Sequence, residues 1–257
     1  MGVALGAVLD GEGRVIGWRE QRRVLAARYR DVLLGDPGTL LILVGQAPLI
    51  GWLCAVVWGS VETDTPSLYF VMALASGWVG CIAACREVVR ERAIIERERF
   101  FGVSPPAVIL SKAEALFALG LAQVVLLQGA VEWKLSLKGP YLLQTAALAL
   151  ASWAGVGLGL LVSSIAASQE RAVAAVPLLL LPQVLFSEMA VPRRYFTDAV
   201  AVVEKFMPVR WTYRIFVDMA EPEAPWGTVA LSFGVLALYV AALCALATLA
   251  LWPRREA

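Results

Sequence analysis

The most constraining feature of the sequence is a charged segment, residues 86–101, that lies between two strongly apolar stretches. Its first fourteen positions carry five Arg and four Glu side chains. Each such charge at the centre of a bilayer costs about 2.5–3.5 kcal/mol, so nine of them cost on the order of 20 kcal/mol or more. The charged segment therefore cannot cross a membrane, whereas the stretches on both sides of it can.

The spacing of charges predicts that this segment is a helix lying along the membrane surface. Glu87 and Arg90 stand three positions apart, and Arg92 and Glu96 stand four apart, so each pair can stabilise a solvated helix. Gly102 follows as the expected C-cap, where a residue without a side chain is favoured. The next helix is expected to begin directly afterwards, at the Ser-Pro-Pro of residues 104–106.

Two interpretations of the charged segment are open. It is either a solvated loop or a helix that docks a soluble partner. Because the segment carries charges of both signs, anionic lipids attract it only weakly, which favours the second interpretation. A weak apolar side is expected to rest on the rest of the protein and consists of Val88, Val89, Ala93, Ile95 and Phe101.

Six apolar segments make up most of the remaining chain, of which 60% of the residues are hydrophobic. A membrane-spanning helix needs about 20 predominantly apolar residues. The segments lie at about residues 39–59, 67–85, 107–131, 141–165, 172–186 and 228–252. The fifth is short, and Pro177 and Pro182 are expected to interrupt it. The predicted fold is an all-α polytopic membrane protein with one domain, 1–257, divided into a cytoplasmic amphipathic N-terminus, 1–36, and a six-helix domain, 37–257.

The distribution of arginines predicts the orientation in the membrane. By the positive-inside rule, the arginine-rich N-terminus and charged segment are cytoplasmic. The first connection carries Glu62 and Asp64 and no Lys or Arg, so we expect it on the outer side. We therefore expect a multi-pass protein of the cell (inner) membrane with both termini in the cytoplasm. The terminal arginines on which this rests are Arg14, Arg19, Arg22, Arg23, Arg28, Arg30, Arg254 and Arg255.

Two further regions flank the membrane segments. Near the N-terminus, Trp18, Leu25, Tyr29 and Val32 fall on one helical face, which is typical of a helix in the membrane interface or of a solvated amphipathic helix. Residues 188–226 combine apolar faces with a polar stripe of Arg210, Arg214 and Asp218. They predict either two short helices that form a re-entrant hairpin before the last span or an extracellular loop.

The apolar segments contain few polar residues, and those expected near the middle of the bilayer are uncharged. Such groups either bond between helices or line a cavity. They are Gln46, Gln123, Gln128, Ser152 and Gln183. The glycines of residues 155–159 predict that two helices approach closely at that point.

The residue types that the sequence lacks argue against several functions. The chain has no His, and its four cysteines lie inside apolar segments, so neither a metal site nor a catalytic site is indicated. A net charge of +1 argues against nucleic acid as a partner. No carboxylate stands near the middle of a span, as an ion-driven transporter would need. The chain therefore looks like a conduit that another protein must drive.

Four stretches of the sequence resemble a known family. They are REVVRERAIIERERFFGVSPPAVILSK, GQAPLIGWLCAVVWG, VPLLLLPQVLFSEMAVP and FMPVRWTYRIF. Together they resemble the permeases of type-2 ABC exporters, most closely the G-subfamily and its bacterial relatives. The resemblance runs from about Arg19 to Trp252, and the chain departs from the usual pattern at Glu188 and Met189, beside the expected outer gate.

The resemblance implies a permease that pairs with a second copy or a homologous permease among membrane lipids. It implies no cofactor in this chain, because ATP and Mg would bind a separate nucleotide-binding ATPase subunit. The implied docking residues are Glu91, Arg92, Glu96, Arg97, Glu98, Arg99, Gln169, Glu170 and Arg171. The substrate cavity would lie between the two copies and is predicted to include Gln46, Trp78, Gln123, Gln183 and Phe186. The expected function is export of a lipidic, amphipathic or polymeric substrate. The alternative is a membrane scaffold that recruits a soluble partner without transport.

Overall fold

The computed structural model describes residues 17–61 and 66–252, which fold into ten α-helices and no strand. The first five are α1 (Trp18–Gly35), α2 (Pro37–Trp58), α3 (Pro66–Ala84), α4 (Arg92–Phe100) and α5 (Pro105–Glu132). The others are α6 (Tyr141–Ile165), α7 (Gln169–Leu185), α8 (Asp198–Lys205), α9 (Pro208–Ala220) and α10 (Trp226–Ala250). Short 3₁₀ turns cover Val89–Glu91 and Arg193–Tyr195. Five residues used to predict orientation lie outside the described ranges: Arg14, Glu62, Asp64, Arg254 and Arg255.

Within the described residues, five helices are long and apolar enough to cross a membrane, namely α2, α3, α5, α6 and α10. The protein is therefore an all-α, multi-pass membrane protein. The fourth predicted segment coincides with α6, and the other boundaries differ from the prediction by a few residues. The predicted interruption of the fifth segment is wrong, because α7 continues through Pro177 and Pro182. Each proline removes one backbone donor, and the remaining bonds of the helix keep it intact.

The connections between the long helices lie alternately at the two ends of the bundle, and the short surface helices lie there with them. The charged end consists of α1, residues 86–104, the link 166–168 and the end of α10. One bond that joins its parts runs from Arg92 Nη2 to the carbonyl oxygen of Ser164, 2.9 Å away at the end of α6. The opposite end holds residues 133–140 together with α8 and α9, which precede the start of α10.

The centre of the bundle is the crossing of α3 and α6, where glycines allow the two backbones to touch. A Cβ atom on Gly155 would overlap the carbonyl oxygen of Gly77, and one on Gly159 would lie 2.6 Å from the carbonyl oxygen of Cys81. Gly80 faces the carbonyl of Ser152 in the same way. The predicted close approach at residues 155–159 is thus confirmed.

A buried polar cluster joins α5 to α6 near the opposite end. Gln128 Nε2 donates to Gln144 Oε1 at 3.1 Å and to Glu132 Oε1 at 2.9 Å. Thr145 Oγ1 donates to Gln128 Oε1 at 2.7 Å, and Gln144 Nε2 donates to the carbonyl of Lys138 at 2.9 Å. Gln128 therefore bonds between helices, as the first of its two interpretations predicted.

Helices α8 and α9 form a hairpin whose second helix, α9, packs on the start of α3. The Tyr69 and Phe216 ring centroids are 5.3 Å apart, and those of Phe70 and Tyr213 are 6.2 Å apart. At the other end of α9, the backbone N–H of Val209 donates to the side-chain oxygen of Gln183 in α7 at 3.4 Å. The hairpin therefore connects α7 to the core.

The predicted polar stripe of α9 is divided between two ion pairs. Arg214 Nε lies 3.5 Å from Asp218 Oδ2, in the i,i+4 arrangement that the sequence predicts. Arg210 Nε lies instead 3.2 Å from Glu204 Oε2, and both of these side chains are largely buried. The second pair fixes the turn between α8 and α9.

Candidate functional site

The charged segment folds as a short 3₁₀ turn followed by the nine-residue helix α4. Helix α4 ends at Phe100 with Phe101 as its C-cap, and Gly102 follows with a φ of +93°, in the left-handed region that favours glycine. The backbone N–H of Val103 then donates to the carbonyl of Glu98 at 3.1 Å, which satisfies one of the last carbonyls of the helix. Gly102 therefore terminates the helix as predicted, one residue after the C-cap position that the prediction gave it.

The inner side of the charged segment rests on the core through Val88 and Ile95, which are both buried. The hydroxyl oxygen of Ser163, at the end of α6, accepts bonds from the backbone N–H groups of Val88 and Val89 at 2.9 and 3.0 Å. The predicted apolar side is partly wrong, because Ala93 is exposed and Phe101 is 63% exposed. Phe101 lies beyond the end of α4, where the chain no longer faces the core.

Helix α1 holds the second side of the charged segment. The hydroxyl group of Tyr29 donates to Glu87 Oε2 at 2.8 Å, and both side chains are buried. Burial, followed by the charge of Glu87, raises the pKa of Tyr29 well above its usual value, so the phenol keeps the proton that it donates. Nearer the end of α4, Arg28 forms a two-point ion pair with Glu98.

Gln21 extends this contact to the turn between α4 and α5. Its Nε2 donates to the carbonyl of Gly102 at 3.3 Å. Its Oε1 accepts from both the backbone N–H and the hydroxyl of Ser104 at 3.0 Å. Ser104 does stand at the N-cap of α5, but its side chain bonds to α1 and not to its own helix. The sequence gives no local signal for these contacts, because they join residues 81 to 83 positions apart.

A buried lysine of α5 holds the start of α4. Lys112 Nζ lies 2.7 Å from Glu91 Oε2 and 4.4 Å from the centroid of the Tyr29 ring. The Lys112 side chain is only 4% exposed, so this is a desolvated ion pair with an aromatic face beside it. Glu91 is therefore held by α5 and turned away from solvent.

Arg92 binds the end of α6. Its Nη2 group lies 2.9 Å from the Ser164 carbonyl oxygen and 3.4 Å from that of Ser163. The positive guanidinium group is stabilised here by the partial negative charge at the C-terminus of α6. The predicted pair of Arg92 with Glu96 is therefore wrong, whereas the predicted pair of Glu87 with Arg90 is present at 2.9 Å.

The third side of the charged segment is open. Its exposed residues are Arg86, Arg90, Ala93, Ile94, Glu96, Arg97, Phe100 and Phe101. Five of them recur about once per helical turn along one line, namely Arg86, Arg90, Ile94, Arg97 and Phe101. We call these five residues the outer stripe. The stripe carries three arginines, of which Arg90 is paired with Glu87, and two apolar side chains, so the stripe is a cationic, partly apolar surface. The exposed Glu96 lies beside it. Six docking residues were predicted on this segment. Glu91, Arg92 and Glu98 bond within the protein. Glu96 and Arg97 are exposed, and Arg99 is half-buried.

The family model for the ABC-2 type transporter matches residues 20–219. The chain belongs to this family. The match extends from α1 through α9 and includes the whole charged segment, so this chain is a transmembrane permease of an ABC transporter. No curated protein matches the sequence.

The second predicted docking region of the ABC-2 permease lies at the start of α7. Gln169, Glu170 and Arg171 are exposed, and the helix is capped by Ser168, whose hydroxyl accepts from the backbone N–H of Arg171 at 3.4 Å. Helix α7 contacts the 3₁₀ turn Val89–Glu91. The two predicted docking regions are therefore neighbours at the charged end.

The five predicted cavity residues of the ABC-2 permease have different surroundings. Gln183 lines a cavity of about 170 Å³ with Gly77, Tyr239 and other residues, and the other four do not. Gln123 is buried, and its Nε2 donates to the carbonyl of Leu43 in α2 at 2.7 Å. The remaining three are the exposed Trp78 and the half-buried Gln46 and Phe186.

Proposed function

We propose that this ABC-2 permease is the membrane subunit of an ATP-driven exporter and that the outer stripe docks a separate nucleotide-binding ATPase subunit. One observation carries the proposal: a segment too charged to enter the membrane is held on two sides by its own protein and is open on the third. The energy source, ATP with Mg, would be bound by the partner.

The contacts of the charged segment make it suited to transmit movement. Glu87 and Glu98 bond to α1, Glu91 bonds to α5, and Arg92 bonds to α6. A displacement of the charged segment would therefore be passed to three helices at once. Rigid-body movement of packed elements is a common way to switch between two states. ATP-driven closure of the partner would thus rock the permease between inward-open and outward-open states.

The geometry refines which residues meet the partner. We assign docking to the outer stripe, together with Gln169, Glu170 and Arg171 beside it. Because the stripe has three arginines and two apolar side chains, its partner surface should be acidic and should contain an apolar pocket. Glu91, Arg92 and Glu98 are assigned to the internal contacts that support the stripe.

The rest of the architecture fits a transport pathway. We infer that α7 is the sixth span, since 17 residues extend for about 26 Å, close to the hydrocarbon thickness of about 30 Å. We place the charged end in the cytoplasm and the α8–α9 hairpin, as a re-entrant element, in the outer leaflet. A second copy or a homologue would complete the pathway, and its largely apolar walls would suit a lipidic, amphipathic or polymeric substrate.

A scaffold that recruits a soluble protein without transport is the second candidate, because the same outer stripe could serve it. The two candidates differ in the partner. An exporter requires an ATPase whose turnover responds to the permease, whereas a scaffold would hold a partner without nucleotide-binding motifs.

The test is co-purification with a candidate ATPase subunit, followed by measurement of ATP turnover in lipid nanodiscs. Arg97→Glu places a negative charge against the proposed acidic surface, so we expect about a tenfold or larger loss of affinity and of stimulated turnover. Lys138→Glu is the matched control, because Lys138 is an exposed cation at the opposite end. Equal stimulation by the Arg97→Glu and wild-type permeases would refute the docking assignment.

A further inference from the structure

A groove separates the remaining side of α4 from the end of α10. Arg92, Glu96 and Arg99 line one wall, and Leu251 and Trp252 line the other. The cavity between them measures about 170 Å³. A second, more open cavity of about 450 Å³ shares Glu96, Arg99 and Trp252 and continues along the exposed ring of Phe100 and beside Val103 and Pro105.

The polar part of this groove has an excess of positive charge. Among the described residues that line it, there are two guanidinium groups, those of Arg92 and Arg99, and one carboxylate, that of Glu96. The Nε of Arg92 is buried without a hydrogen-bond partner among the described residues, although Nη2 of the same side chain is bonded. Arg99 forms no ion pair in the described part of the chain. A buried donor without an acceptor costs free energy, so the groove favours an anionic ligand.

The apolar part of the groove indicates which kind of anion fits. Trp252 is exposed and lies two residues after the end of α10, one of the helices apolar enough to cross a membrane. Tryptophan is enriched where a span reaches the headgroup region. The ring of Phe100 is 82% exposed beside it. A ligand with both a negative group and hydrocarbon chains would satisfy both parts of the groove, whereas a small soluble anion would leave the apolar part uncovered.

We propose that this groove binds the headgroup of an anionic phospholipid from the cytoplasmic leaflet, with the phosphate at Arg92 and Arg99 and the acyl chains beside Trp252 and Phe100. The proposal rests on the proposed cytoplasmic orientation of the charged end. It does not depend on the docking of an ATPase, because Arg99 and Arg97 lie on different sides of α4. The lipid would fill the space between the charged segment and the last span.

The test is native mass spectrometry of the full-length permease in detergent, titrated with phosphatidylglycerol or with phosphatidylcholine of the same acyl chains. Arg99→Gln should weaken the tightest phosphatidylglycerol adduct by about fivefold and should leave phosphatidylcholine adducts unchanged. The matched control is Arg97→Gln, which removes the same charge two positions away and should leave both lipids unchanged. The melting temperature of each variant checks that it is folded.

Three results would overturn the proposal. Equal losses for Arg99→Gln and Arg97→Gln would show diffuse attraction with no site. Equal binding of the two lipids to the wild-type protein would show that the negative headgroup is not recognised. Unchanged lipid binding by Arg99→Gln, combined with loss of the ATPase complex, would assign the groove to the protein partner. Failure of Arg97→Glu to affect ATP turnover would refute the docking assignment and leave the lipid site intact.

Discussion

Replacement of Gly155 by alanine tests whether close backbone contact between α3 and α6 holds the bundle together. The new Cβ atom would overlap the carbonyl oxygen of Gly77, and it would lie 2.9 Å from the carbon of that carbonyl and 3.1 Å from the backbone nitrogen of Cys81. All three atoms belong to backbone, so no side chain can rotate away. The helices must separate, and overpacking of this kind costs about 1–3 kcal/mol.

The matched control is Gly129→Ala in α5. A Cβ atom there would meet nothing within 4 Å. Alanine gains up to about 1 kcal/mol of helix propensity over glycine in both variants, so this contribution cancels when the two are compared. The difference between Gly155→Ala and Gly129→Ala therefore isolates the clash at the α3–α6 crossing.

The buried cysteines of the protein can report its thermal unfolding. All four cysteines are free and buried, so a thiol-reactive fluorescent dye reports thermal unfolding. A difference of 2 kcal/mol corresponds to a shift of about 4–8 °C for a protein of this size. We expect Gly155→Ala to melt lower than Gly129→Ala by about that amount. Equal melting temperatures would refute the conclusion that these backbones are in contact.

Three further predictions use the same melting assay. Tyr29→Phe should cost about 1.5–3 kcal/mol, because it removes a buried hydrogen bond to the carboxylate of Glu87; an unchanged melting temperature would contradict this contact. Arg28→Glu should cost at most about 1 kcal/mol, because its ion pair is half exposed, and adding Glu98→Arg should restore the loss. If the double variant is less stable than Arg28→Glu alone, the two side chains do not pair. Gln144→Leu should cost about 0.6–1.7 kcal/mol by breaking the polar cluster between α5 and α6, and a gain in stability would indicate that the cluster contributes nothing.

Much of the fold could be predicted from local patterns in the sequence. The apolar segments locate the long helices because length and hydropathy are enough to define a span. Gly102 and the glycines of residues 155–159 also behave as predicted, since the absence of a side chain acts at the residue itself. Pro177 and Pro182 were misleading because a helix tolerates the loss of single hydrogen bonds.

The candidate site was harder to predict because its contacts join distant parts of the chain. The sequence indicates that residues 86–99 are charged, but not which charges face inward. Glu91 turns towards Lys112, and Glu98 turns towards Arg28 in another helix. Phe101 was expected to be buried and is exposed, because helical periodicity does not extend beyond the end of α4. Only the packing of α1, α5 and α6 around the segment determines the outer stripe.

The bonds from α1 to the charged segment also impose an order on biosynthesis. The Tyr29–Glu87 bond joins residues 58 positions apart, and the Gln21–Ser104 bond joins residues 83 positions apart. At about 5–20 residues per second, the ribosome needs roughly 4–17 s to make the later partner of Gln21. During this interval α1 has already been synthesised, while two spans still have to enter the bilayer. Nascent chains arrested before Ser104 should therefore leave α1 open to protease, and slightly longer ones should protect it.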